Sequence, residues 1–97
     1  MMLFREKVLK QLAHVPRGRV LTYGGLARLI GSPNSARAVG NALNKNLNLV
    51  RVPCHRVVCS DGKVGGYAGG VLKKVELLRD EGVEVIEGRV NLEKWGV

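Results

Sequence analysis

The sequence predicts an α+β fold, a winged-helix-like domain, on three observations. Two short stretches with helical apolar spacing, "VLTYGGLARLIG" and "SPNSARAVGNALNKN", meet at a Gly-Ser-Pro turn and read as a helix-turn-helix. Valine-rich β-segments follow around "SDGK", and an Asp-Gly pair in that setting signals a hairpin. A helix-turn-helix followed by a hairpin gives the class.

The elements follow in order. Phe4, Val8, Leu12 and Val15 recur at helical spacing with Arg5, Lys7 and Lys10 between them, so a helix ends near Pro16 and Gly18. Thr22 can cap a second helix, with Leu26, Leu29 and Ile30 facing inward and Gly31 as its stop. Ser32 as N-cap and Pro33 at the first helical position start a third. Its inward face is Ala36, Val39, Gly40 and Leu43; Asn34, Arg37, Ala38, Asn41 and Lys45 form the other. "LVRVP" and "RVVCSDGKVGGY" read as β-segments, and "VGGYAGG" as glycine-dense bends. "GGVLKKVELLRDEG" is a helix with Val71, Val75 and Leu78 inside and Gly82 as its stop, and "VEVIEGRVNL" a short terminal hairpin.

Ninety-seven residues predict one domain with little spare core. No apolar run reaches the roughly 18 residues of a membrane span, so no membrane partner is expected. "MMLFREKVLK" carries charges where a secretion signal needs an apolar block. Cys54 and Cys59 do not make a disulfide framework, so a reducing, cytoplasmic setting is expected, or the nucleus in a eukaryote.

The net charge of +8 is uneven. Residues 1–50 hold eight Lys/Arg against Glu6 alone, and residues 51–97 hold eight against seven acids. A polyanion partner for the first half fits, and so does a basic solvated surface. The outer face of the third helix is distinctive. Small and amide side chains around Arg37 let a backbone approach a groove, where a solvated helix would carry Glu and Lys.

The chemistry sits in "VPCHRVVC". A thiolate is the reactive form of cysteine, and a neighbouring base raises its fraction. Neighbours on a regular strand point to opposite faces, so contact between Cys54 and His55 needs a turn or a bridging water. The same residues also read as a small buried hydrophobe beside a histidine. The spacing of Cys54, Cys59, His14 and His55 offers no zinc pairs, so no metal is expected.

"PCHRVV" resembles the active-site motif of the O6-alkylguanine-DNA alkyltransferases, the methylated-DNA–protein-cysteine methyltransferases. "TYGGLA", "SARAVGNAL", an Asn eight residues before the cysteine, "GGYAGG" and "LLRDEG" follow in that family's order, over about residues 3–82. The resemblance implies an active-site domain without the family's N-terminal domain, a monomer that acts on double-stranded DNA containing O6-alkylguanine. It implies Cys54 as alkyl acceptor in a single turnover, no cofactor, and a relay of His55, a water and Glu81. Asn46 would brace the active-site turn. Tyr23 would donate to the guanine ring and help rotate the nucleotide. Backbone atoms near Cys54 and Val57 would accept from the base's amino group, the Ala68 N–H would face the alkylated oxygen, and Leu43 and Tyr67 would wall the pocket. Arg37 would fill the gap in the base stack, and Ser35, Ala36, Ala38 and Asn41 would meet the minor groove. Ala68 stands where many relatives carry serine, and "NKNLNLVRVP" lacks prolines common in that loop.

Two other functions fit parts of the sequence. Alkyltransferase-like proteins are small sensors of alkylated DNA, with tryptophan or another residue in place of the cysteine, and recruit other repair proteins. A winged-helix transcription regulator would read one sequence and leave Cys54–His55 without a role.

Overall fold

The computed structural model describes residues 2–45 and 52–97. The elements are α1 (Phe4–Leu12), β1 (Leu21–Thr22), α2 (Tyr23–Leu29), α3 (Ala36–Asn44), a 3₁₀ turn (Cys54–Arg56), β2 (Val57–Val58), α4 (Val71–Asp80) and α5 (Leu92–Trp95). Helices with a small sheet make it the expected α+β fold.

Two apolar clusters organise these elements. The first joins Val8 and Leu12 of α1, Leu26 and Ala27 of α2, and Val39, Ala42 and Leu43 of α3, and it runs on to Cys54 and Val57. The second gathers Val20, Val58, Val64, Leu78, Val83, Val85 and Val90. The strands divide them. β1 and β2 pair in parallel, Leu21 opposite Val57 and Thr22 opposite Val58. Successive strand side chains alternate sides, so Leu21 and Val57 enter the first cluster while Val20 and Val58 enter the second.

That pairing corrects the expected hairpin. The Asp-Gly turn forms, with Gly62 N–H donating to the Cys59 carbonyl at 2.9 Å and Cys59 N–H to that of Lys63 at 2.8 Å. Beyond it, Lys63 bridges to Arg89, and β2 pairs with β1 instead. Val57 and Val58 are both fully buried, on opposite sides, so their strand needs an internal neighbour. Of "LVRVP", residues 49–51 lie outside the described residues, and Val52 and Pro53 form a turn.

The helix-turn-helix is borne out with shifted details. Thr22 caps α2, its hydroxyl accepting from Gly25 N–H at 2.9 Å. Gly31 then takes a φ of 81°. α3 begins at Ala36 with Ser35 as N-cap, three residues later than expected. Ser32 is used in the turn instead, where its carbonyl accepts from the Ser35 hydroxyl at 2.6 Å. Leu29 is not inward but 56% exposed. Asn34, Arg37, Ala38, Asn41 and Lys45 are exposed as expected.

In α4, Val71 is exposed, against its expected inward place, and Lys74, which the sequence reading did not place, is fully buried. The terminal hairpin is present as one tight turn. Ile86 and Arg89 exchange both backbone hydrogen bonds at 3.0 Å. Glu87 and Gly88 between them have φ of 52° and 75°, the left-handed pair that two-residue hairpins require. No helix among the described residues is long and apolar enough to cross a membrane.

Candidate active site and nucleic-acid face

The site begins at Pro53. Its φ of −79° and ψ of 64° make an inverse γ-turn, closed by Cys54 N–H donating to the Val52 carbonyl at 2.8 Å. The 3₁₀ turn follows at once, with Arg56 N–H donating to the Pro53 carbonyl at 3.0 Å. Cys54 and His55 therefore stand on a turn and not on a strand. Both are buried, at 5% and 6% exposure.

Glu81, at the C-cap of α4, reaches this turn. His55 Nε2 lies 2.9 Å from Glu81 Oε2. Arg56 grips the same carboxylate as a fork, Nε to Oε1 at 2.9 Å and Nη2 to Oε2 at 2.7 Å. Its Nη1 donates to the Val15 carbonyl at 2.8 Å, which ties the turn to the end of α1. Burial pushes the Glu81 carboxyl up, but the hydrogen bonds from Arg56 and then His55 outweigh it and hold it at about 2. An ionised carboxylate only accepts, so Nε2 carries the imidazole proton. Burial pushes His55 down against the raising contact with Glu81, so the ring is neutral at pH 7. The basic lone pair is then on Nδ1, which is buried and has no hydrogen-bond partner among the described residues.

Around the thiol, Leu43, Cys54 and Val57 share the first core cluster, with Tyr23 and Tyr67 packed against it. Tyr67 meets the His55 ring edge-on, centroids 6.4 Å apart. Tyr23 follows directly on β1, and burial, then Cys59 and Cys54, push its phenol up, so it stays a donor. Gly65 lets the glycine loop pass here. Its φ is 73°, and a Cβ would stand 3.1 Å from Cys59 Sγ and 3.5 Å from Tyr23 Oη. Ala68 is exposed at the loop's far end. Asn46 lies outside the described residues. On α3, Arg37, Ala38 and Asn41 are exposed, while Ser35 and Ala36 are half-buried.

Two site residues escaped the sequence reading. Arg56 is one. The other is Lys74, whose Nζ donates to the Val57 carbonyl at 2.6 Å and to that of Gly66 at 3.0 Å, 5.8 Å from the Tyr23 ring centre. Burial lowers its pKa to about 8, against the raising influence of Cys59 and Cys54. The signal for Lys74 was its position, one turn before Leu78 on the inward stripe. The signal for Arg56 was only its adjacency to His55. Among the described residues no group of three or more His, Cys, Asp or Glu side chains could hold a metal ion.

Fold and site together define a helix-turn-helix domain built around a cysteine on a tight turn. The chain belongs to the family described as 6-O-methylguanine DNA methyltransferase, DNA binding domain, whose model matches residues 3–83. The resemblance carried by the motifs is thereby borne out. A methylated-DNA–protein-cysteine methyltransferase of Shigella flexneri is 49% identical over 79 residues, 81% of this chain and 46% of that protein. The chain spans about half the length, or less, of such curated relatives. Among solved structures, S. pombe Atl1 in complex with damaged DNA containing O6-carboxymethylguanine matches with a TM-score of 0.90 at 33% identity, covering 100% of this chain and 98% of that one. Mycobacterium tuberculosis OGT in complex with DNA matches with a TM-score of 0.81 at 43% identity, covering 84% and 50%.

Proposed function

We propose that this domain works inside the cell, binds duplex DNA, extrudes an O6-alkylguanine and takes the alkyl group onto Cys54. One observation carries the reading. The thiol sits on a buried turn whose next residue is a neutral histidine, held through Nε2 by an ionised carboxylate and basic at Nδ1.

The reaction follows from that arrangement. His55 draws the thiol proton at Nδ1, through a water, and Glu81 keeps the proton on Nε2. The thiolate attacks the alkyl carbon in line. An S–C bond forms, the C–O6 bond breaks, and its electron pair goes to guanine O6. A thioether is not readily cleaved, so each molecule reacts once. Tyr23, as a protonated phenol, donates to the ring nitrogen of the departing guanine. The Ala68 N–H faces O6, the Val57 and Cys54 backbone accepts from the amino group, and Leu43 and Tyr67 form the walls. Asn46 braces the turn.

The exposed face of α3 suits the duplex. A base inside a helix hides its O6, so chemistry there requires extrusion, which costs a few kcal/mol of stacking. Arg37 enters the gap and offsets part of that cost. Ala38 and Asn41, with Ser35 and Ala36 at the helix start, let the backbone approach the minor groove. The +7 charge of residues 1–50 supplies affinity that depends little on sequence and falls with salt.

The second reading is a sensor that binds the lesion without transfer. The match to Atl1 over nearly all of that chain favours it, and Cys54 opposes it. Intact mass decides between them. With excess duplex containing O6-methylguanine, the protein should gain one methyl on Cys54, not Cys59, and restore guanine in proportion to protein. Tight lesion binding with unchanged protein mass, thiols fully reduced, leaves the sensor. A regulator would instead prefer one unmodified sequence.

A further inference from the structure

We propose that the groove between α1 and the end of α2 docks a short acidic segment of a partner protein, anchored by one large apolar side chain. The groove lies apart from the thiol and from the outer face of α3, so it can serve an enzyme and a sensor alike.

The groove has a volume of about 300 Å³. That is the low end of the ligand-sized range, room for one aromatic or aliphatic side chain with its immediate neighbours. Part of its wall is apolar. Met2 and Leu29 line it, and both are large apolar side chains left in water, at 38% and 56% exposure. Ile30, half-buried, continues them. The rest of the wall is basic. Lys7 and Lys10, one turn apart on α1, line it with His14 just past the helix end, and no acid does. Neither lysine forms an ion pair among the described residues, and Glu6, the one acid of residues 1–50, pairs with neither.

Cations alone would suit a phosphate backbone. Leucine and methionine among them would not, because phosphate contacts are made by polar and charged groups. A protein interface uses both, an apolar anchor in a pocket within a polar rim. The apolar residues line a concavity, which takes an inserted side chain and not a bilayer surface. A second copy suits it poorly, since each chain carries +8. What complements the groove is a carboxylate-rich segment with one apolar side chain. The duplex need not be released for it. Ala38, Asn41 and Lys45 on the outer face of α3 line a different cavity, with Arg5, so α1 stands between that face and the groove.

The probe is a labelled peptide of aspartates and glutamates around one central phenylalanine. Two control peptides isolate its parts, one with serine for the phenylalanine and one with the acids replaced by their amides. Anisotropy is read at physiological ionic strength, where charges more than about 8 Å apart are screened. Wild type should bind the probe, and each control about tenfold more weakly. Leu29→Ala should cost about tenfold in probe affinity and leave duplex affinity unchanged. Lys7→Gln combined with Lys10→Gln should cost about threefold to tenfold, as expected for two partly solvated charge contacts. All three positions are exposed, so the variants should fold. Protein saturated with unmodified duplex should still bind the probe. No binding of the probe by wild type, or equal binding of probe and controls by wild type and variants, overturns the proposal. Displacement of the probe by duplex, with weaker duplex binding in Leu29→Ala, assigns the groove to nucleic acid and overturns it as well.

Discussion

Arg56 holds Glu81 by two near-parallel hydrogen bonds of 2.9 and 2.7 Å, across 25 residues of sequence. The carboxylate is thereby fixed in charge and direction before it meets His55. Lysine offers a point charge and cannot reproduce the fork. Arg56→Lys should therefore slow alkyl transfer about tenfold to a hundredfold, the range seen when an orienting partner is lost. Stability should fall by about 2–4 kcal/mol, because the arginine is mostly buried and its contacts are charge-assisted. Denaturant unfolding and single-turnover kinetics on one preparation check both. Normal kinetics in a destabilised variant would make Arg56 a structural clamp only.

The Glu81 pair sets an acid limit. Its folded pKa of about 2 lies below the ordinary 4.5, so its contribution to stability is complete above pH 4.5 and is lost as pH falls toward 2. His55 acts earlier. Its folded pKa is below 6.5, so the unfolded chain binds the extra proton first and stability begins to fall as pH drops through 6.5. Glu81→Gln should erase the lower step. It should also raise the apparent pKa of the Cys54 thiol and slow transfer at neutral pH. Thiol alkylation followed across pH reads the second effect, and an identical profile in wild type and variant would reduce Glu81 to a structural anion.

Lys74 adds a test at the other end of the scale. Its ammonium joins α4 to β2 and to the glycine loop through two backbone carbonyls. Lys74→Met keeps the stem and leaves both carbonyls unsatisfied, so stability at pH 7 should fall by about 2–4 kcal/mol. The folded pKa of about 8 is below the ordinary 10.5. The unfolded chain therefore holds more protons between those values, and wild-type stability should rise with pH there relative to Lys74→Met. Parallel curves for the two proteins across that window would show that Lys74 titrates normally.

The helix-turn-helix was legible because its core residues, Leu26, Val39 and Leu43, repeat at helical spacing and its turn residues punctuate them. The two misplaced residues, Leu29 and Val71, share a cause: they sit at helix ends, where the apolar stripe no longer dictates burial. Lys74 was passed over because it is a cation on that stripe. Two-residue strands carry no period, so nothing in "RVVC" marked Leu21–Thr22 as the partner of Val57–Val58. From its own neighbourhood Cys54 reads first as core, and it is in the core. The Cys54, His55, Glu81 set became visible only through motif resemblance. Periodicity has no means of pairing residue 55 with residue 81.

Arg37 tests the DNA face without touching the core. It is exposed on α3, so Arg37→Ala should change stability by no more than about 0.5 kcal/mol. Transfer from a lesion in duplex DNA should slow strongly, while reaction with the free modified base should hardly change. Only the duplex has to be unstacked. Equal losses on both substrates would remove the wedge role.

The reacted state should be less stable than the starting one. Cys54 is 5% exposed and sits in one cluster with Leu43 and Val57, which are 4% and 0% exposed. Methylation adds a carbon where the packing leaves little room, and overpacking of this kind costs about 1–3 kcal/mol. The strain falls on the turn that links Cys54 to β2 and on the α3 face that packs against it. Alkylated protein should therefore unfold at lower denaturant and release DNA more readily than the unmodified form. Cys54→Ala removes the thiol without adding volume, so it should keep lesion binding while losing transfer. Unfolding curves for protein methylated by lesion-bearing DNA, with Cys54→Ala and unreacted protein alongside, separate the two effects. If the methylated chain is as stable as the unreacted one, the site has room in reserve and product release needs another cause.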